Sequence, residues 1–463
     1  MKCSLTRIFV LTLLVIGISL AVSAQEQATQ GQQNQDQEAT QESLTAAPAA
    51  MQGEMPVLLG VEAEQKNRIE GGMAVRSVYD DNFAGGSSPR FGDFEYSFLP
   101  SIGLDWFQPH TDWTLQYDGG YTMDQRSATR DDATNQVAAD VQHKFSPRLS
   151  LELRENYMQT SDPFVSPGVT DGLASLIGPG QLNPLATTPI ARRESTVSFA
   201  DIGYQLSRHS SIGASGNFSS MRFGDVAGTS SGSGLIDTTE STGRLFYAWQ
   251  ISRMQTIGAQ YQLEDMEFAH AVAHTLDHSI YLFDDLRLTQ HMSLSLFAGP
   301  EYSHVHDQVA LIPGLASFTI PVFTSELSYT AGATYTWQGL HNGVNFMALR
   351  SVTDGGGLLG AVRNNSGDLS YQHAFSPRFR MTLNGGYSDG RLIGGAISGP
   401  TRHLTYETAG IGFERKLYRN FSVEADYTRT QQPHAGIVRI NQLVDHNRAA
   451  ITFRYRFAKE LNR

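Results

Sequence analysis

The chain has 463 residues, 40% of them hydrophobic and 17% charged, with one cysteine and a formal net charge of -12. Beyond the first two dozen residues no apolar run approaches the ~20 residues of a membrane helix, so a bundle of membrane helices is excluded. Lys and Arg are scattered through an acidic chain, which excludes a nucleic-acid footprint, and Cys3 alone offers no disulfide.

Residues Met1 to Ala24 read as a secretory signal peptide. Lys2 and Arg7 form the basic start, Ile8 to Val22 the apolar run, and Val22-Ser23-Ala24 the small-residue cleavage site. Cys3 precedes the apolar run, so it is no lipoprotein attachment site. Residues 25–66 are expected to form a periplasmic tether. Gln25 to Gly53 is rich in Gln, Ala, Thr and Glu and lacks the large apolar residues that would offset its ordering entropy. Met55 to Val61 is apolar but too short for a domain. A tether of this length holds no folded plug of the kind an energy-coupled transporter carries.

From residue 67 to residue 463 the chain repeats one unit: an alternating apolar/polar segment, a tight polar turn, a second alternating segment and a longer loop. The tight connections are QPHTD after Phe107, FSPRL at Phe145, LSRHS at Leu206, ISRMQ at Ile251, LTQHM at Leu288, WQGLHNG at Trp337, FSPRF at Phe375 and LYRNF at Leu417. The longer connections include Asp80 to Arg90, Ser161 to Arg192, Phe223 to Thr238, His304 to Ile320, Asp354 to Asn365, Asp389 to Thr401 and Thr430 to Val444. Strict alternation of short and long connections predicts an all-β fold, an antiparallel up-and-down transmembrane β-barrel. Its short turns would be periplasmic and its long loops external. Counting hairpins gives about eighteen strands. Sixteen stays open, because the pattern between Val322 and Val352 could gain or lose a hairpin.

Alternation also assigns faces, since side chains in a strand repeat every two residues. Phe94, Tyr96, Phe98, Pro100, Ile102, Leu104 and Trp106 fall on one face, while Glu95, Ser97, Ser101, Gly103 and Asp105 fall on the other. Phe379, Met381, Leu383 and Tyr387 likewise oppose Arg378, Arg380, Thr382 and Asn384. A barrel much larger than about eight strands cannot be filled by its own side chains, so the polar face implies an aqueous path.

The basic residues expected in that lumen are Arg68, Arg76, Arg378, Arg380, Arg454 and Arg456, with Lys144, Arg154, Arg244 and Arg287. The acidic ones are Glu95, Asp105 and Asp118, with Glu70, Asp140, Glu152, Glu264, Asp285, Glu326, Asp368, Glu424 and Asp426. Neither sign dominates. Closure of the last strand on the first places Arg454 and Arg456 beside Arg68 and Arg76. With Asp105 and Asp118 a few strands away, this arrangement would set a transverse field across the pore.

SVYDDNF (Ser77 to Phe83), the hairpin forms FSPRLSLEL and FSPRFRMTL, and the closing strand AAITFRYRF resemble the outer-membrane β-barrel porins of Gram-negative bacteria. They look most like a group of β-barrel porins that includes proteins linked to exopolysaccharide export. The resemblance implies a bacterial outer-membrane location, insertion by the barrel assembly machinery and contact with outer-membrane lipid. It makes the alternating face Ile451, Phe453, Tyr455 and Phe457 the assembly strand, although Ala458 to Arg463 extend past it. It also suggests that the third outer loop, Ser161 to Arg192, folds into the lumen, with a surface loop or a subunit contact as the alternatives. Apolar outer faces would serve subunit contact in a homo-oligomer as readily as lipid.

Enzymatic chemistry finds no support. There is no Gly-x-Ser-x-Gly elbow and no His-Glu-x-x-His motif, so no catalytic residue, metal site or cofactor is expected. His270, His274 and His278 are spaced by four, but a strand begins at His278, and they read as polar loop histidines, as do His304 and His306. Turn geometry explains Gly355 to Gly357 and Gly394 to Gly395. The expected function is a porin-like channel for passive diffusion of ions or small polar solutes. The alternatives are the barrel of a polysaccharide export system and a structural or adhesive barrel.

Overall fold

The computed structural model describes residues 67–82, 92–126, 132–161, 192–224, 235–269, 273–310, 319–357, 360–393, 403–435 and 444–461. The signal peptide, the tether, His270, Gly394 to Gly395 and almost all of the third outer loop lie outside them. The described chain forms eighteen strands. They are β1 (Arg68–Asp80), β2 (Asp93–Phe107), β3 (Thr111–Asp124), β4 (Asp132–Ser146), β5 (Leu149–Thr160), β6 (Arg192–Ser207), β7 (Ser210–Gly224), β8 (Thr238–Ser252) and β9 (Gln255–Phe268). There follow β10 (Ala273–Thr289), β11 (Met292–Ala310), β12 (Thr319–Gln338), β13 (Asn342–Thr353), β14 (Val362–Ser376), β15 (Phe379–Leu392), β16 (His403–Tyr418), β17 (Phe421–Ala435) and β18 (Val444–Glu460). Each pairs antiparallel with its sequence neighbours, and β18 pairs with β1 from Arg68↔Glu460 to Asp80↔Arg448, which closes the barrel.

All eight tight turns fall where the sequence places them, and six contain two residues between strands. Five of those six share one device. The backbone N–H groups of Arg148, His209, Met254, His291 and Arg378 donate to the hydroxyls of Ser146, Ser207, Ser252, Thr289 and Ser376, two residues earlier. The ladder register shifts by one residue beside each of these hydroxyls. The hydroxyl thus replaces the ladder partner that the bulge removes, which is why an apolar residue followed by Ser or Thr marks so many turns.

The outward faces carry the large apolar side chains. Trp106, Phe145, Trp249 and Phe375 lie near the turn ends, and Tyr121, Tyr302, Tyr329 and Tyr387 near the opposite ends, all exposed. Two aromatic girdles around an apolar belt, on a closed antiparallel sheet, are the bilayer-spanning architecture of the bacterial outer membrane. Ile451, Phe453, Tyr455 and Phe457 lie exposed on this outer surface.

Several expected boundaries move. β11 runs to Ala310 and β12 starts at Thr319, so most of the loop expected from His304 to Ile320 is strand. His304 and His306 pair with Ser325 and Phe323, and His274 lies opposite His306. These histidines are therefore strand residues on the outer face, and His278 lies inside β10 with its Nδ1 2.8 Å from the Tyr261 hydroxyl. Polarity misled the reading here: beyond the outer girdle a strand no longer faces hydrocarbon, and its alternation fades.

The wall is not uniform around its circumference. β12 and β13 pair over only eight rungs, from Gln338↔Gly343 to Ala331↔Arg350, although both strands continue. Beyond that point β13, β14 and β15 bend into the barrel. Asp354 at the hairpin tip accepts a hydrogen bond of 2.7 Å from Thr238 Oγ1, on the inner face of β8. Val352, Ala361 and Ile393 bury themselves against Met266, Phe268 and Val305 of β9 and β11. A tight inward tip needs left-handed backbone, and Gly355 and Gly356 supply it with φ of 68° and 64°. The glycines do serve a turn, as expected, but the turn lies within the lumen.

Candidate channel lumen

The inner face is built from the polar half of every strand's alternation. β1 contributes Arg68, Glu70 and Arg76, β2 contributes Glu95 and Asp105, β3 contributes Asp118, β15 contributes Arg380, and β18 contributes Arg454 and Arg456. Arg378 departs from the expected set. It sits exposed in the Pro377-Arg378 turn, because β14 ends at Ser376 and the ladder shifts there. The pairing also brings to the inner face Asp93, Asp112, Asp124, Asp132, Glu240 and Asp277. The same pairing adds Arg193 and Arg448 to that face, where acids outnumber bases among the described residues.

The closure seam brings the expected cations together. Arg456 lies opposite Gly72 and Arg454 opposite Ala74, with Arg76 one step along the same face. Arg68, Arg76, Arg380 and Arg454 each have a carboxylate within 4.0 Å. Arg68 Nε is 2.5 Å from Asp105 and 3.0 Å from Glu70, Arg454 is 3.3 Å from Glu424, Arg380 is 3.6 Å from Glu414, and Arg76 is 4.0 Å from Asp426. Glu95 approaches Arg448 at 3.5 Å, and Asp118 accepts from Gln116 Nε2 at 2.8 Å.

Nine strands away around the ring, β8 to β11 present carboxylates held mainly by neutral donors. Asp277 accepts from Ser303 Oγ at 2.6 Å and Ser279 Oγ at 2.9 Å, Glu264 from Gln262 Nε2 at 2.9 Å, and Glu240 from Thr242 Oγ1 at 3.2 Å. Arg244, on the same wall, spends its Nε on Gln262 Oε1 at 3.0 Å. Below these acids the wall is lined by Phe246, Phe283 and Phe297. Their rings lie against Gly213, Gly258 and Gly332 of adjacent strands, where any Cβ would overlap the ring.

The bent hairpin brings its own charge into the lumen. Arg363 donates to Glu326 at 2.7 Å and lies 4.0 Å from Glu301, with Arg363 and Glu301 side chains only 10% and 2% exposed. By alternation Arg363 belongs to the outer face of β14. It meets the inner faces of β11 and β12 because the upper part of β13 to β15 has slipped inside them. Sequence reasoning placed Arg363 in an outer loop and passed over Glu301. The alternation of Glu301 with Tyr302 was the available signal for the acid, and no local pattern marks the slip that pairs them. Among the described residues no group of three or more His, Cys, Asp or Glu is placed to hold a metal ion.

No family model and no curated protein matches the chain. Solved structures similar to it include Pseudomonas aeruginosa OccK2 (OpdF), at 10% identity and a TM-score of 0.41 over 84% of this chain and 98% of that one. P. aeruginosa OpdQ is similar at 9% identity and a TM-score of 0.42, covering 85% and 99% of the two chains, and Acinetobacter baumannii OccAB3 at 9% and 0.40, covering 85% and 99%.

Proposed function

We propose that the barrel is an outer-membrane channel for passive diffusion of ions and small polar solutes, with the bent β13–β14 hairpin as its narrowest part. The observation that carries this reading is the face polarity: charged and hydroxylated side chains line the inside of a wall whose outside is apolar. The excess of acids favours cations. Arg454, Arg456 and Arg76 on the closure seam oppose Glu240, Glu264 and Asp277 across the ring, which supports a transverse field that orients polar solutes.

Planar-bilayer recording of refolded protein tests the proposal. Wild type conducts without a partner, and Arg454→Ala with Arg456→Ala moves the reversal potential in a salt gradient toward greater cation preference. An unchanged reversal potential refutes the field. A protein that stays closed until a periplasmic partner is added would instead be an export barrel. In this reading β18 is the strand grasped by the assembly machinery, through Ile451, Phe453, Tyr455 and Phe457.

A further inference from the structure

A closed barrel has no free strand edges, and here one arises within the wall. Among the described residues, Thr319–Thr330 of β12 pair with β11 and with no second strand, because β13 leaves at Arg350. The parting lies level with Tyr329 of the outer girdle, eight rungs above the turn, whereas crossing a bilayer takes about 9–11 strand residues. It therefore opens at the height of the outer headgroups. An unpaired edge in hydrocarbon costs several kcal/mol per group. Among the described residues the first step of this edge is capped: Thr330 Oγ1 donates to the Arg350 carbonyl at 2.7 Å, and Arg350 Nε to the Tyr329 carbonyl at 3.3 Å.

Above the parting the wall consists of two overlapping layers joined by side chains. Arg363 bridges them through Glu326 and Glu301, and Val352 and Ile393 meet Val305, Met266 and Phe268. At the foot of the overlap Arg350 lies on the lipid face, its guanidinium 4.4 Å above the Tyr329 ring and its Nη1 2.7 Å from Asn365 Oδ1. Beside it Leu327 and Phe323 are among the most exposed apolar side chains of the barrel.

We propose that this overlap is a lateral portal through which a single-chain anionic amphiphile passes between the outer leaflet and the lumen. The head docks first on Arg350 and then displaces half-exposed Glu326 from Arg363. Both are guanidinium groups, whose planar donors suit a phosphate or carboxylate. The tail follows the apolar strip of Val352, Val305 and Met266. Opening requires the inner layer to swing away from β11 and β12, a movement that Asp354 on Thr238 restrains.

The barrel has no cysteine, so Thr238→Cys with Asp354→Cys can be locked by a short bis-methanethiosulfonate cross-linker, which forms two disulfides and releases methanesulfinate, and freed by reductant. Protein-bearing vesicles receive a fluorescent lysophosphatidate in the outer leaflet, and albumin extraction reads the fraction that has moved inward. The unlocked protein should accelerate protection about ten-fold over protein-free vesicles, the equivalent of about 1.4 kcal/mol. Locking should return it to the protein-free rate, and reductant should restore it, while the same preparation conducts salt in both states. No acceleration, or equal rates locked and unlocked, overturns the portal, whereas loss of conductance in wild type would overturn the channel reading instead. A second variant, Arg350→Gln with Arg363→Gln, should slow the anionic probe but not a neutral monoacylglycerol. Equal slowing of both would overturn the recognition of the head.

Discussion

Arg363→Met is the sharpest probe of the overlap. Its guanidinium is nine-tenths buried between two layers, 2.7 Å from Glu326 and 4.0 Å from Glu301. The two acids differ: Glu326 is 45% exposed and would simply rehydrate, but Glu301 is 2% exposed, and its Oε1 has no hydrogen-bond donor among the described residues. Removing one partner of a buried pair typically costs about 3–5 kcal/mol, against ~0–1 kcal/mol for an exposed one, so nearly all of the loss traces to Glu301. Glu301→Gln in the Arg363→Met background should recover about 2 kcal/mol or more, because it removes the stranded charge. Urea unfolding in phospholipid vesicles, followed by the four tryptophans, measures all corners of the cycle. A loss below about 1 kcal/mol for Arg363→Met, or no recovery in the double variant, would show that the overlap does not depend on this pair.

Other expectations follow from single contacts. Asp354→Ala removes the acceptor for Thr238 and the Gly356 N–H, so open-channel current in planar bilayers should fluctuate more, with added levels above that of wild type. Steady single-level current would show that the tip is held by other contacts. Gly299→Ala would press a Cβ into the Ile280 carbonyl, whereas a Cβ on Gly243 meets nothing within 4 Å. The first should destabilise the barrel by about 1–3 kcal/mol and the second by less, measured by the same unfolding assay. Ser252→Ala removes the hydroxyl that serves the Met254 N–H and should cost about 0.5–1.5 kcal/mol. The loss should be visible as slower folding into vesicles if the turn forms early.

The barrel was largely legible because its two determinants are local. Alternation such as Phe94 to Trp106 declares a face, and a Ser or Thr two residues before a turn N–H declares the reversal. Both act over a few residues and repeat around the ring, so eighteen strands and all eight tight turns could be counted. Reading weakened between Val322 and Val352, and there the wall departs from regularity. A strand whose inner and outer faces both meet protein, as β13 and β14 do above Arg350, has no reason to alternate. The same cause hid Arg363, which by parity faces lipid and in the fold faces Glu326 and Glu301. Arg378 falls in a turn instead of on a strand face, because the ladder shifts by one position between Ala374 and Ser376 and such a shift moves a side chain to the other face.

By itself the sequence determined that this chain makes an antiparallel, bilayer-spanning barrel and where its tight turns fall along the chain. Those properties follow from period-two alternation and turn chemistry, which need no knowledge of distant residues. Only the tertiary structure decided that β12 and β13 part at Arg350, that the hairpin of Gly355 and Gly356 reaches β8 across the lumen, and that Glu301 answers Arg363. These pairings join residues far apart in the chain through the slip of one sheet layer inside another. Nothing in a strand's own pattern records which layer it will end up beneath.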